Sequence, residues 1–541
     1  MKTHRKFIAE SLLVFVGFFL LYLLTLPNNL SASSDGIFFL SLIDSGQWFF
    51  PPHHLLNEPL CILWLRFWQM IGITSDSALI VASLNSFFGA AGLGFIYFIQ
   101  RRSFRTNIVS SIIQTTLVAF SFGYWFYSGS IKTNIIPVFL TICVLTVLLK
   151  HQLSKRDIIV LSILNGLAIV FHEAFILTAF STLLILALTK KKLPNRRIYS
   201  LGMYATLLSL FVISAFGIVI VLHENLQSFS DGIIWVTRDS PKPGIWNSLS
   251  IATLEKALVG FLHSIFGIYF CFKFLFFQNL LSLVPGRHDV ASGLYLVRNL
   301  PTSIAFILFC FDLIVGLFCI TIFVLSFSSL KNLFVSEREL LLPPLMLLLV
   351  FGLFFLFWDP SNMEFWVVQS VMFWLIFGRI VKASNTPRIF RAVFPILPVL
   401  IFLVNYFGNM YFLHSEGNDH YRVQATAIAS LTNTGDIIIS DESSQQRAYY
   451  KRHAMRYLIE PDDLGTSGED SVATAMTTKI QKGLLSHKKL FISFNPFRPE
   501  EKNPVQQRFQ SVWNLSLGGA SIMIDSITIQ GSKFFIIMRN D

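Results

Sequence analysis

The sequence predicts a polytopic α-helical membrane protein with a small extracytoplasmic α/β domain at its C-terminus, and three observations lead there. The 541 residues are 53% hydrophobic and 15% aromatic but only 13% charged, and the mean hydropathy is +0.61, well above the balance of soluble domains. Apolar runs long enough to cross ~30 Å of hydrocarbon recur from Phe7 to Tyr411, whereas the remainder to Asp541 reads as globular sequence. Lys and Arg gather between those runs, in Lys2–Lys6, Arg101–Arg105, Lys150–Arg156, Lys190–Arg197, Lys331–Arg338 and Arg379–Arg391. Retention of positive loops in the cytoplasm explains the formal charge of +11 better than a nucleic-acid partner does.

Placing all six clusters inside fixes a topology. The first span, Phe7–Leu26, leads to an outer loop over 27–76, in which the short apolar stretch Pro59–Ile73 suits an interfacial or re-entrant helix. Ser77–Ile99 returns, Ile108–Tyr124 goes out and Ile131–Leu149 comes back. Ile158–Phe171 and Ala174–Leu188 form a hairpin with His172 and Glu173 at its outer tip, and Tyr199–Leu222 opens a second outer loop over 223–301. Within it, Ala257–Leu283 is hydrophobic enough to cross, but a single crossing would turn every later basic loop outward. It is expected to lie along the surface or re-enter. Ser303–Phe327, Leu340–Phe357, Trp366–Phe377 and Val393–Tyr411 bring the total to about eleven spans. The membrane domain is thus 1–412, and 413–541 is delivered outside.

In the C-terminal domain, helical and strand periods alternate. A helix at Tyr421–Leu431, a strand at Asp436–Ser440, a helix at Glu469–Leu485, a strand at Lys489–Phe494 and a last pair at Ala520–Ile529 and Lys533–Met538 make a small α/β layer. The five cysteines, Cys61, Cys143, Cys271, Cys310 and Cys319, all lie in apolar segments, so neither a disulfide framework nor a thiolate metal site is visible. The basic start, apolar core and small residues Ser31, Ala32 and Ser33 have the outline of a signal peptide. An uncleaved anchor is expected instead, because Phe7–Leu26 is long enough to span and many spans follow.

Chemistry is sought first in Ser33–Leu60, where Asp35, Asp44, His53, His54 and Glu58 stand among Phe, Trp and Leu. Ionisable groups beside a membrane are costly unless wetted, paired or used. Asp35 precedes Gly36 and the run FFLSLI, a position suited to capping that helix and to serving as a general base, roles that are compatible. Asp44 would point to another side of the helix, as a solvated or supporting group. Pro51-Pro-His-His breaks the helix, and His53 and His54 at such a bend can donate to a phosphate or orient an acceptor. Their adjacency makes a weak zinc pair.

The remaining outer groups are His172 and Glu173, Arg238 and Lys242, Arg287, His288 and Arg298, then Trp358, Asp359, Asn362 and Glu364. Singly, each suits an interface anchor or a turn. Together they put carboxylates and cationic donors on one face, as a phosphate leaving group and an activated nucleophile require. Asp312, inside a span, serves helix packing or function equally well. No Gly-rich phosphate loop or dinucleotide fingerprint stands between a strand and a helix, which argues against a nucleotide-linked donor.

A basic N-terminus, one span, and a loop that opens with SSDGIFFLSLI and continues with PPHHLLNEPL, in a many-span chain ending in an outside domain, resemble the GT-C superfamily of membrane glycosyltransferases. The first loop is most similar to the protein O-mannosyltransferase-like and bacterial lipid-linked sugar transferase branches. The resemblance implies inverting transfer of a hexosyl or pentosyl group from a polyprenyl-phosphate sugar to a lipid, glycan or protein acceptor, at the outer face of a bacterial inner membrane. It places the catalytic base on Asp35 and the His/Pro turn on Pro52, His53 and His54. Some branches carry a second acid beside the first; here that position is Gly36, so a divalent metal stays open, and no other cofactor is implied. Substrate-binding roles for Glu58, His172, Glu173, Arg287, His288, Arg298, Asp359, Asn362 and Glu364 come from the topology, not from the motif. A lipid-linked glycan polymerase or ligase would depend more on the second outer loop. A glycolipid transporter or flippase would commonly show repeated halves, and none is visible.

Overall fold

A computed structural model describes residues 2–33, 36–189, 193, 196–224, 226, 228–237, 246–282, 290–382, 387–433, 436–439, 448–452, 457–459, 480, 482, 486, 488–493, 522–529 and 532–539. The helices begin with α1 (Lys2–Leu24), α2 (Gly36–Asp44), α3 (Asn57–Met70), α4 (Ser77–Arg102), α5 (Ile108–Phe120), α6 (Phe122–Gly129) and α7 (Ile135–Leu148). Next come α8 (Lys155–Phe171), α9 (Ile176–Leu188), α10 (Arg197–Leu222), α11 (Phe229–Thr237), α12 (Ile251–Ile265), α13 (Leu275–Ser282) and α14 (Val290–Leu296). The series closes with α15 (Thr302–Ser336), α16 (Arg338–Phe357), α17 (Val367–Lys382), α18 (Arg388–Val393), α19 (Leu397–Asn405), α20 (Tyr411–His414) and α21 (His420–Leu431). The chain divides into two compact units, one of Met1–Asn28 with Leu42–His414 and one of Asn29–Ser41 with Ser415–Asp541. The first is the helical membrane unit of an integral membrane protein.

Among the described residues, seven helical segments are long and apolar enough to cross a membrane, or eight if the bent pair α5–α6 is one span. The stretches expected to span at 131–149, 158–171 and 174–188 contain the shorter helices α7, α8 and α9, of 14, 17 and 13 residues. The ambiguous stretch 257–283 is not one helix: α12 ends at Ile265, a 3-10 turn covers Tyr269–Lys273, and α13 follows.

The expected span at 108–124 bends by 68° between Phe120 and Phe122. A break inside a membrane unit is tolerated only where the freed backbone groups find partners, and the last span supplies them. Asn405 Nδ2 donates to Phe120 O at 2.7 Å and to Ile265 O at 2.8 Å, while its Oδ1 accepts the Gly267 N–H at 2.8 Å. Asn409, within the π-turn Tyr406–Met410, accepts from Tyr269 N at 2.9 Å and donates to Gly267 O at 3.2 Å. Trp374 Nε1 donates to the Ser121 hydroxyl at 2.8 Å. Position 267 must be glycine, because an added Cβ would stand 2.3 Å from Asn409 Cγ.

Helix α4 is the inner scaffold of the unit. Gly89 admits Ser128, whose hydroxyl would lie 2.1 Å from an added Cβ, and Gly92 admits the Tyr124 hydroxyl in the same way at 2.4 Å. One turn before Gly89, Asn85 Nδ2 donates to Ser130 O at 2.7 Å and to Lys132 O at 2.8 Å. Residues expected to open a span are therefore drawn into a turn ahead of α7. The basic clusters pair locally, Arg101 with Glu10 at 2.9 Å, Lys150 with Asp157 at 2.5 Å and Arg379 with Glu337.

In the second unit a five-stranded sheet has the order β2-β1-β3-β5-β4, from β1 (Ile437–Ile439), β2 (Tyr457–Ile459), β3 (Leu490–Ile492), β4 (Ile522–Ile529) and β5 (Ser532–Arg539). β1 is parallel to β2 and β3; β5 is antiparallel to β3 and β4. Strand β2 was not expected from the sequence, and most of the helix expected over 469–485 lies outside the described residues. The buried Asp419 caps α21 by accepting from Arg422 N at 3.1 Å, and it also accepts the Leu30 N–H at 3.0 Å and the Tyr449 hydroxyl. Asn29 Nδ2 donates to Asn418 O at 3.1 Å. These bonds fasten the segment after the first span into this unit.

Asn405→Leu strands two carbonyls and one N–H that Asn405 now satisfies, at about 1–3 kcal/mol for each group left buried without a partner. Thermal unfolding in detergent is expected to show a midpoint lowered by several degrees, with Asn405→Asp intermediate; an unchanged midpoint contradicts this account of the break.

Candidate substrate site

Four turns of the membrane unit bring ionisable side chains together. The first is the 3-10 turn Pro52–His54, with proline in its opening positions where no N–H is needed. His54 N donates to Pro51 O at 3.0 Å, and Leu56 N ties the turn to Val170 O near the end of α8 at 3.3 Å. The second turn joins α8 to α9. His172 leaves the helix in extended conformation, and its Nδ1 accepts the Ala174 N–H at 3.2 Å. The His54 and His172 rings meet edge to face with centroids 4.5 Å apart, and His53 Nδ1 lies 2.7 Å from Glu173 Oε2.

The third turn, between α6 and α7, carries Lys132; the fourth, between α16 and α17, carries Glu364. Lys132 Nζ and Glu364 Oε2 are 3.3 Å apart, with side chains only 5% and 12% exposed. The fourth turn is built for that contact. Asp359 takes a positive φ of 47°, uncommon outside glycine but tolerated by Asp. Asn362 donates to Asp359 Oδ2 at 3.3 Å and accepts the Glu364 N–H at 3.2 Å, and Trp366 Nε1 closes onto Pro360 O at 2.8 Å. Gly260 of α12 packs beneath, where a Cβ would fall 2.3 Å from Pro360 O.

The charge balance is distinctive. Burial, with the charges of Lys132 and His53, holds the His172 imidazole down at about 3. Burial, His172, His53 and Lys132 likewise keep His54 well below its ordinary value, against the opposing pull of Glu173. Both rings are therefore neutral at pH 7. Because His172 Nδ1 accepts from a peptide N–H, its proton sits on Nε2, which is a donor without a charge of its own. Lys132 is the buried cation, and a buried ion pair stands only when each charge keeps a partner. Glu58, in the first turn of α3, is fully buried, and burial pushes its carboxyl up to about 8. The Asn57 amide and the Glu58 N–H pull the other way without reaching full hydrogen-bond geometry. The carboxyl is thus protonated at neutral pH.

Of the residues expected from the sequence, the structure joins His53 to Glu173 and His54 to His172, and it places Asp359 and Asn362 behind Glu364. Arg298 is held by other residues: its guanidinium lies 4.0 Å from the Tyr295 ring centroid, and Lys273 Nζ donates to its carbonyl at 2.9 Å. Asp35, Arg238, Lys242, Arg287 and His288 lie outside the described residues. Lys132 was missed because an apolar window absorbed it; the polar run Ser128–Asn134, interrupted only by Gly129 and Ile131, was the available signal. Among the described residues, no group of three or more His, Cys, Asp or Glu is placed to hold a metal ion.

No family profile and no curated protein matches the sequence. The architecture, however, is matched along its length by two crystal structures of ArnT from Cupriavidus metallidurans. The apo form aligns with a TM-score of 0.55 at 10% identity, and the form bound to undecaprenyl phosphate with 0.54 at 11% identity; each alignment covers 97% of both chains. The chain has the GT-C fold. At this identity the likeness lies in the fold, and the residues of the site must be read from this chain.

Acidification tests the neutral imidazoles. Between pH 6.5 and about 3, the unfolded chain takes up a proton that folded His172 refuses, so stability falls as the pH drops, by up to about 1.4 kcal/mol per pH unit for one such group. His172→Asn keeps a capping acceptor without this titration. Its thermal midpoint is expected to fall less than that of the unaltered chain between pH 7 and pH 5, and equal losses would show that His172 is not held neutral.

Proposed function

We propose that the chain is an integral-membrane glycosyltransferase that moves a sugar from a polyprenyl-phosphate donor to an acceptor at the extracytoplasmic face. The observation that carries this reading is a GT-C fold in which one buried cation, Lys132, is grouped with two neutral imidazoles. The match to an ArnT structure holding undecaprenyl phosphate supports the same class of donor.

In the proposed reaction the acceptor attacks the anomeric carbon from the face opposite the phosphate. The bond from that carbon to the phosphate oxygen breaks, and polyprenyl phosphate leaves with the bonding pair. Lys132 offsets the charge that builds on the departing phosphate, and His172 Nε2–H donates to it without adding charge. Glu364 holds the ammonium in place, and the Asn85 bond to Lys132 O fixes the turn that carries it. The base that takes the acceptor's proton is Asp35, a role that rests on the resemblance of the first loop. The sugar and the acceptor are left to experiment.

Membranes containing the chain and a panel of radiolabelled polyprenyl-phosphate sugars test the reading directly, with label expected in a new acceptor and unlabelled polyprenyl phosphate released. Asp35→Asn is expected to lower turnover by about 10²–10⁴, the range for loss of a general base, with the protein still accumulating; unchanged turnover removes Asp35 from the mechanism.

The pair Lys132 and Glu364 needs a different design, because Lys132→Met alone leaves a buried carboxylate unpaired at about 3–5 kcal/mol. The double variant Lys132→Met, Glu364→Gln is expected to recover most of the thermal stability while losing about 10²–10³ in turnover. Full activity in the folded double variant would reduce the pair to a structural role.

A further inference from the structure

A cavity of the membrane unit, of about 400 Å³, shares no residue with the Lys132 cluster and falls in the size range of ligand sites. It forms where the ends of α1, α3 and α20 meet the start of α4. Its wall is apolar, with Leu26, Leu79 and Ile80, and its rim is polar, with Asn28 and His414. That rim is built rather than incidental. Asn28 N donates to Leu413 O at 2.9 Å, Asn28 Nδ2 donates to His414 O at 2.8 Å, and His414 Nδ1 lies 2.8 Å from Leu26 O. Since a carbonyl oxygen only accepts, Nδ1 donates there. Trp68, from the end of α3, also borders the cavity, and its buried indole N–H has no acceptor among the described residues.

An apolar wall under a polar rim, at the level where two spans end and another begins, is the profile of a lipid at the boundary between chain and headgroup. An ester carbonyl is an acceptor with no donor of its own, and so completes the Trp68 N–H. The lining selects further. Among the described residues no Lys or Arg lines the cavity. An anionic headgroup would find no lysine or arginine among those lining residues to pair with. The groove along Ile8, Phe15 and Phe95 differs: its walls are apolar apart from Ser11, whose hydroxyl is already bonded to Phe7 O, so it has no headgroup end.

We propose that this cavity binds one molecule of a membrane lipid without net charge, its acyl chain against Leu26, Leu79 and Ile80 and an ester carbonyl on Trp68 Nε1. Bound there, the lipid bridges the outgoing end of the first span to the end of the last one. The site does not depend on the glycosyltransferase reading, because its ligand is not consumed.

Trp68 is its own reporter. The full chain in detergent micelles is titrated with phosphatidylcholine brominated on the acyl chain, and tryptophan quenching is followed. The expected result is a saturable component of one lipid per chain, absent in Trp68→Phe and weakened at least tenfold by Ser75→Phe, which fills the cavity mouth and leaves Trp68 in place. Brominated phosphatidylglycerol is expected to bind at least tenfold more weakly. Quenching that never saturates, or that is the same in both variants, overturns the site; equal or tighter binding of the anionic lipid overturns its assignment to an uncharged headgroup.

Discussion

The membrane unit rests on one constraint: backbone groups released from a helix inside hydrocarbon must be bonded by protein. This chain interrupts its helices at Ser121, between α12 and α13, at the turn ahead of α7 and in the π-turn of the last span. The first three are met by side-chain amides. Asn405, just before the fourth, and Asn409, within it, serve the first two, and Asn85 serves the third. Glycine at 267 gives the close approach that the Asn409 bonds need. The irregular backbone is therefore held in fixed positions, and fixed irregular backbone is what lets short polar turns present Lys132 and Glu364 where regular helices would bury apolar side chains.

The electrostatics of the cluster follow from that placement. An isolated ammonium deep in protein would lose its proton or its position. Glu364 gives the Lys132 ammonium a partner at 3.3 Å, and the charge of Lys132 adds to burial in holding His54 and His172 neutral. One cation with its carboxylate partner, a second carboxylate beside His53 and two neutral imidazoles form a site arranged before any ligand arrives, the condition under which electrostatic stabilisation is most effective.

How much of this was legible depended on whether the signal was local. Helices such as α4, α10 and α16 stood out because a uniform apolar run of span length has one reading. The β4–β5 hairpin and α21 were visible through local period. The bend at Ser121 was not, since Phe-Ser-Phe contains no breaker; its cause is an asparagine 284 positions later, from residue 121 to residue 405. Lys132 escaped for a related reason, as hydropathy averaging hides one polar turn beside a long apolar helix. Strand β2 has three residues, too few for a period. At the site, His53 and Glu173 were both named by the outer-loop argument and the structure pairs them, but Lys132, whose charge acts on His54 and His172, belongs to a turn the sequence assigned to a span.

The composition of the second unit bears on how the protein is made. Its residues come from the beginning of the chain, Asn29–Ser41, and from the end, Ser415–Asp541, with the Leu30–Asp419 bond closing a separation of 389 residues. Synthesis proceeds from the N-terminus, so the early segment emerges long before the residues it bonds to and must wait while the intervening helices enter the bilayer. Asp419 and Tyr449 can close on Leu30 only after the intervening chain has been synthesised. The unit is thus a late assembly product, and a truncated or stalled chain would leave the first loop without the partners that fasten it.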